Sequence, residues 1–206
     1  SIEDDDRWLR LHFGMTGEPR AWKGEADPDP EHVRLRADFE DGWHLAYLCS
    51  RRFGQIGIVN DPEAFVQRED LGPDLRSLVD DRARFHDVFA ERRGGVKSSL
   101  MNQHVAAGLG NIYADEVLFQ ARIHPETGAP AMGDGDWDEV RRSARHVVER
   151  AIEARADPDR MPRSWLIGHR EEGATCPRCG ATIQKLSVSG RPTYVCPEEQ
   201  IRKEAS

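Results

Sequence analysis

Three cysteines near the C-terminus have the residue type and spacing of metal ligands. Cys176 and Cys179 form a C-x2-C pair, and Cys196 follows after 16 intervening residues. This spacing is typical of a structural zinc (Zn2+) site, in which the ion takes four ligands. Glu199 stands where a fourth cysteine would complete the pattern, and its carboxylate is the predicted fourth ligand. Glu198 or a water molecule is an alternative ligand, and a hairpin that holds no metal is another interpretation.

A second group of residues, which could bind an anion, surrounds the glycine-rich turn Gly108-Leu109-Gly110. Two helical patterns flank this turn, and Asn111 lies where the second helix should begin. Backbone N–H groups at such a helix start can hold a phosphate. Lys97, one helix upstream, could fold onto the same anion. On spacing alone, a plain helical hairpin with a glycine turn is the simpler interpretation.

Two short loops carry residues that could enter a stack of bases. The stretch SRRFG places Arg51 and Arg52 beside the aromatic Phe53, and GMTG presents Met15 at a glycine turn. Adjacent arginines can bind phosphates, and apolar side chains can wedge between base steps. Taken alone, each loop is more simply explained as a strand end.

The elements that must hold these residues change along the chain from strands to helices. Residues 1–60 contain stretches of alternating apolar and polar residues and an Asp-Gly turn signal, which predict antiparallel strands and a hairpin. Asp61 begins a helical region that ends near residue 160, and a linker follows it. Residues 165–206 form a small module around the cysteines. The predicted fold class is α+β.

The composition restricts the partners that the chain can have. The formal net charge is −8, with 37 acidic and 29 basic residues. A negative surface disfavours non-specific nucleic-acid binding, so a nucleic-acid site would need a local basic cluster. The sequence contains no apolar run of about 18 residues, so we expect no membrane span or membrane partner. Its acidic start lacks the apolar core of a signal peptide, and we expect a cytoplasmic location.

Four stretches, taken in order, resemble the formamidopyrimidine-DNA glycosylase / endonuclease VIII family of base-excision repair enzymes. They are LHFGMTG, RRFG, KSSLMNQHVAAGLGNIYADEVLFQARIHP, and CPRCG with GRPTYVCP, and GLGNIYADE is the most specific. The resemblance covers almost the whole chain. It implies an incomplete β-sandwich domain at 1–60, a helix-two-turns-helix DNA-binding domain at 61–160 and a β-hairpin zinc finger at 165–206, with double-stranded DNA between the halves.

The resemblance also implies roles for individual residues. Arg191 of the finger would grip the phosphates beside a flipped nucleotide and take part in δ-elimination, so it is the predicted catalytic residue. The residues assigned to DNA binding are Met15, Arg51, Arg52, Phe53, Arg92, Lys97, Asn111 and Arg191. We expect the basic members of this set to line one face of the protein.

The activity that the resemblance implies is that of a DNA glycosylase and AP lyase acting on oxidised bases or abasic sites in duplex DNA. A damaged base is flipped out of the helix, an amine attacks the sugar carbon, and the Schiff base permits β,δ-elimination. The family's nucleophile is an N-terminal proline followed by a glutamate, whereas this chain begins Ser1-Ile2-Glu3. We therefore expect the chain to be inactive alone. We also expect it to be a monomer and to associate with the nucleoid. The alternative is a non-catalytic protein that binds damaged DNA or RNA.

Overall fold

The computed structural model describes residues 6–14, 16–25 and 30–204. The chain divides into two compact units, Ser1–Glu69 and Asp70–Ser206. The first unit consists of strands and one short helix, and the second consists of helices and a β-hairpin, which confirms the predicted α+β class. No helix within the described ranges is both long and apolar enough to cross a membrane.

The first unit contains two small antiparallel sheets. Its elements are β1 (Trp8–His12), β2 (Gly17–Lys23), β3 (Val33–Asp38), β4 (Trp43–Cys49), β5 (Gln55–Val59) and α1 (Pro62–Arg68). β1 pairs with β5, and β4 lies between β2 and β3. Residues 46–49 of β4 are buried, because this central strand packs on both neighbours. The hairpin between β3 and β4 confirms the one predicted from the Asp-Gly signal.

The second unit places a helical layer against the C-terminal hairpin. Its elements are α2 (Leu75–Leu78), α3 (Arg82–Phe89), α4 (Val96–Leu100), α5 (Asn111–Gln120), α6 (Asp134–Glu153), β6 (Gln184–Val188) and β7 (Arg191–Val195), with 3-10 turns at Ala129–Ala131, Pro158–Arg160 and Leu166–His169. The predicted domain boundaries stay a prediction. The structure groups α1 with the strands of the first unit and groups the hairpin with helices α2–α6.

Helix α6 shows how local sequence sets an element. Apolar residues recur at helical spacing, and Trp137, Val140, Ala144 and Val147 are buried on one face. The helix begins at Asp134, so Asp136 lies in its first turn, where its carboxylate accepts a hydrogen bond from the N–H of Gly133 at 3.1 Å.

Helix α5 is buried from Ala114 to Phe119 because it contributes to two cores. Val117 and Leu118 are fully buried in the helical core with Phe85 and Trp137. The neighbouring Phe119 is fully buried in a second core, which includes Leu166, Ile183, Cys176 and Cys196. The same helix therefore packs against both the helical layer and the cysteine module.

Candidate zinc site and phosphate site

The three cysteine sulfurs converge on a space that fits a zinc ion. The ligand atoms of Cys176, Cys179 and Cys196 all lie within 4.8 Å of one another, and the sulfurs of Cys179 and Cys196 are 3.5 Å apart. Tetrahedral zinc with Zn–S bonds of about 2.3 Å places its sulfurs about 3.8 Å apart. Backbone N–H groups also point to the sulfurs of Cys176 and Cys196 and would support them as thiolates. The donor set fits the predicted structural zinc.

Glu199 takes a different environment from the cysteines. One of its carboxylate oxygens, Oε2, is 3.7 Å from Nε of Arg122 and 3.8 Å from Nη1 of Arg178. Among the described residues, the ligand group defined by mutual distances contains the cysteines alone. Glu199 as the fourth ligand therefore stays a prediction.

Arg191 stands at an exposed position immediately after the hairpin turn. Ser189 and Gly190 both have positive φ, at 51° and 71°, as in the tight two-residue turn of a β-hairpin. The next residue, Pro192, accepts a 2.9 Å hydrogen bond on its carbonyl from Nδ2 of Asn111. Because Asn111 begins α5, this bond fastens the tip of the hairpin to the start of that helix.

Lys97 lies beneath this contact and is fully buried. Its Nζ donates to Oδ1 of Asn111 at 2.7 Å and to Oγ1 of Thr193 at 2.6 Å, and it forms an ion pair with Oδ1 of Asp115 at 2.7 Å. Burial lowers the pKa of Lys97 below its ordinary value, although Asp115 opposes the shift. In this structure the three partners surround the Lys97 ammonium group, and the predicted contact of Lys97 with the DNA backbone stays a prediction.

Asp115 makes the largest number of contacts in this network among the described residues. It also receives Nη2 of Arg170 at 2.6 Å and the backbone N–H of Tyr194 at 3.2 Å. No functional role was assigned from the sequence to Asp115, Arg170 or Thr193. The available signal was a pair of adjacent acidic residues, Asp115 and Glu116, between apolar residues of one helix, since charged residues are rarely buried without a partner.

The two loops of the first unit lie against each other. A Cβ added at Gly14 would come within 2.8 Å of the Phe53 backbone. The hydroxyl of Thr16 accepts the N–H of Arg51 at 3.3 Å. Arg51, Arg52 and Phe53 are all exposed, and 63% of the surface of Phe53 is accessible to solvent. Met15, the remaining predicted loop contact, lies outside the described residues.

Arg92 is exposed beyond the end of α3, and its Nε donates to the carbonyl of Val88 at 2.8 Å. The structure describes no contact between Arg92 and the Lys97 network within residues 30–204. Lys97 and Arg191 do lie close enough for the arginine to lower the pKa of the lysine. Arg51 and Arg52 belong to the first unit. That all these basic residues line one face stays a prediction.

A helical hairpin with a glycine turn, fastened to a zinc-finger hairpin that carries an exposed arginine, defines a helix-two-turns-helix zinc-finger protein. Three family models match the chain. They are the formamidopyrimidine-DNA glycosylase N-terminal domain at residues 2–56, the H2TH domain of the same enzyme at 71–161, and the zinc finger found in FPG and IleRS at 173–198. The chain belongs to the formamidopyrimidine-DNA glycosylase family, as its motifs predicted.

Individual relatives agree with this assignment. The chain is 33% identical over 201 residues to the formamidopyrimidine-DNA glycosylase of Geobacter metallireducens, with 94% of this chain and 74% of the relative covered. It is 34% identical over 226 residues to the enzyme of Thermomicrobium roseum, with 97% and 76% covered. Among solved structures, it matches the Lactococcus lactis enzyme non-covalently bound to DNA containing an AP site, with a TM-score of 0.79, 31% identity and coverage of 97% and 76%.

Proposed function

We propose that this chain binds double-stranded DNA at damaged bases and abasic sites, as a monomer associated with chromosomal DNA in the cytoplasm. The observation that carries the proposal is the fastening of the Arg191 hairpin to the start of α5 through Asn111 and Lys97. Solved relatives in complex with abasic-site DNA and with DNA containing carbocyclic 8-oxo-G support the same partner.

The proposed phosphate site combines two kinds of donor. Helix α5 has Gly110 as its N-cap residue and no side-chain cap hydrogen bond, so its first-turn N–H groups are suited to an anion. Arg191 adds a full positive charge and a planar set of donors for phosphate oxygens. In this proposal Lys97 acts indirectly, because its hydrogen bonds to Asn111 and Thr193 hold the two donor groups in place. A zinc ion on the cysteines would fix the finger that carries Arg191.

The exposed loop of the first unit supplies contacts of another kind. Phe53 presents an apolar ring between glycine and arginine neighbours, and rings of this type replace an unstacked base in a duplex. Arg51 and Arg52 are placed to bind backbone phosphates. We propose that this loop, together with Met15, fills the space left by a flipped nucleotide.

The glycosylase and AP lyase chemistry of the family requires an amine that attacks the sugar carbon. Lys97 is the lysine at the proposed phosphate site, and its amine is buried and bound by three partners. We therefore expect residues 1–206 to bind abasic-site DNA without forming a Schiff base. Borohydride treatment of the complex tests this expectation, and a trapped protein–DNA adduct would refute it.

The binding proposal is tested by fluorescence anisotropy with three labelled probes, namely an abasic-site duplex, the matching intact duplex and a structured RNA. The abasic duplex should bind most tightly. Arg191→Gln should weaken binding and reduce the slope of log affinity against log salt by about one. Arg142→Gln, which removes an exposed arginine on α6, is the matched control and should leave that slope unchanged. Equal affinity for RNA would favour the alternative of a non-catalytic RNA-binding protein.

A further inference from the structure

The two ends of the finger fold in the same way around Cys176 and Cys196. In each case the residue four positions later donates its N–H to the cysteine carbonyl at 3.0 Å. The N–H groups two and three positions later point to the cysteine sulfur. Glu199 therefore occupies, in the second turn, the backbone position that the ligand Cys179 occupies in the first.

The side chain at this position is too long for the space. A cysteine sulfur is bonded directly to Cβ, whereas the carboxylate oxygens of glutamate lie two atoms further out. The Glu199 carboxylate accordingly does not belong to the group of ligand atoms that the three sulfurs form within 4.8 Å of one another. Its Oε2 is buried, makes no hydrogen bond to a described residue, and lies 3.7 Å from Arg122 and 3.8 Å from Arg178 as long ion pairs.

Arg178 is a cation held in place beside the carboxylate, with its Nη1 3.8 Å from Oε2 of Glu199. Its guanidinium carbon lies 4.2 Å from the centre of the Phe119 ring, and its Nη1 donates to the Phe119 carbonyl at 2.9 Å. Its Nη2 donates to Gln120. Since three contacts hold this guanidinium on α5, the nearby Glu199 carboxylate has a stationary counter-charge outside the cysteine cluster.

We propose that zinc bound by the three thiolates keeps an exchangeable fourth ligand, which is water in plain buffer and an external thiolate where one is supplied. Zinc with three protein ligands characteristically leaves one position for a solvent molecule or a substrate. An added thiol would release its proton to the buffer, displace the water and bind through sulfur. No electrons are transferred, so the cysteines stay reduced. This inference is independent of DNA binding.

Cobalt(II) in place of zinc makes the ligand set visible, because each thiolate adds intensity to the sulfur-to-metal charge-transfer band. Titrating the cobalt-loaded chain with 2-mercaptoethanol should increase that band by about one third, as four thiolates replace three. Glu199→Cys should begin at the four-thiolate intensity and not respond to the thiol. A wild-type spectrum unchanged by 2-mercaptoethanol would overturn the proposal.

A second variant keeps the test decisive if Glu199→Cys does not fold. Glu199→Gln removes the carboxylate charge and should respond to 2-mercaptoethanol with the same midpoint as the wild type, because the carboxylate is not a ligand. A response that appears only in Glu199→Gln would show that Glu199 fills the position, and would refute the inference. Cobalt stoichiometry and circular dichroism of each variant verify that metal-loaded, folded chains are compared.

Discussion

Removing the negative charge of the buried Lys97–Asp115 pair should destabilise the chain more than removing the positive charge. Asp115→Asn leaves two cations, Lys97 and Arg170, without the carboxylate that both contact within 2.7 Å. Loss of one partner from a buried ion pair costs about 3–5 kcal/mol. Lys97→Met leaves Asp115 paired with Arg170 and the Tyr194 N–H, so its cost should be about 1–3 kcal/mol, the penalty for unsatisfied hydrogen-bonding groups.

The double variant separates a network from a sum of contacts. Lys97→Met with Asp115→Asn leaves no buried ammonium group at the site, so it should be more stable than Asp115→Asn alone. Urea unfolding of the zinc-loaded chain, followed by circular dichroism, gives the four free energies of the cycle. Glu139→Gln, which breaks an exposed pair with Arg142, is the control and should change little. Additive costs would refute the reasoning.

The pH dependence of the stability of Asp115→Asn gives a second test of the buried ion pair. In the native chain the pKa of Lys97 already lies below its ordinary value, because burial disfavours its charged form. Without Asp115 the folded pKa falls further, so the unfolded chain binds more protons than the folded chain above that pKa. Stability must then rise with pH up to the ordinary pKa of lysine, and the deficit of Asp115→Asn should shrink as the pH is raised toward that value. If the loss of stability in Asp115→Asn did not change with pH, the inference that Lys97 becomes a neutral buried amine in this variant would be wrong.

Three further outcomes follow from the structure. Burial raises the pKa of Glu116 to about 7. Because the folded chain then holds a proton that the unfolded chain has lost, stability should fall as pH rises from about 5 to 7. Glu116→Gln should reduce this dependence of the melting temperature on pH. Leu118→Ala should cost about 2–5 kcal/mol in urea unfolding, since this side chain is fully buried, whereas Ile152→Ala at the surface should cost far less. Gly54→Ala should displace the SRRFG loop and weaken abasic-site binding in anisotropy titrations, because its Cβ would lie 1.7 Å from Oη of Tyr47, while Gly57→Ala meets open space and should bind normally.

The local features of the fold could be predicted because neighbouring residues determine them. Gly190, in the turn between β6 and β7, has the positive φ that glycine adopts readily. The cysteine spacing likewise predicted the cluster that the structure shows. Each of these inferences depends on residues that are adjacent or near in sequence.

The polar network could not be predicted in the same way. Thr193 meets Lys97 across 96 positions of sequence, and Arg170 meets Asp115 across 55. The hydrophobic periodicity of the sequence does not indicate which charged residues meet when the zinc-finger module packs on α5. Sequence reasoning therefore treated Lys97 as a surface contact, whereas the structure shows a buried cation. The path of the Glu199 side chain depends in the same way on Arg178, which the zinc pattern alone does not involve.

The position of α5 in two cores has a consequence for how the second unit folds and exchanges. Leu118 belongs to the helical core and the adjacent Phe119 to the finger core, so neither half can open without exposing part of this helix. The unit should thus behave as a single foldon, in which the amide protons of α5 exchange with solvent only during global opening. Zinc bound at the cysteines would slow exchange far outside the finger, and a finger excised from the chain would lack one wall of its own interior.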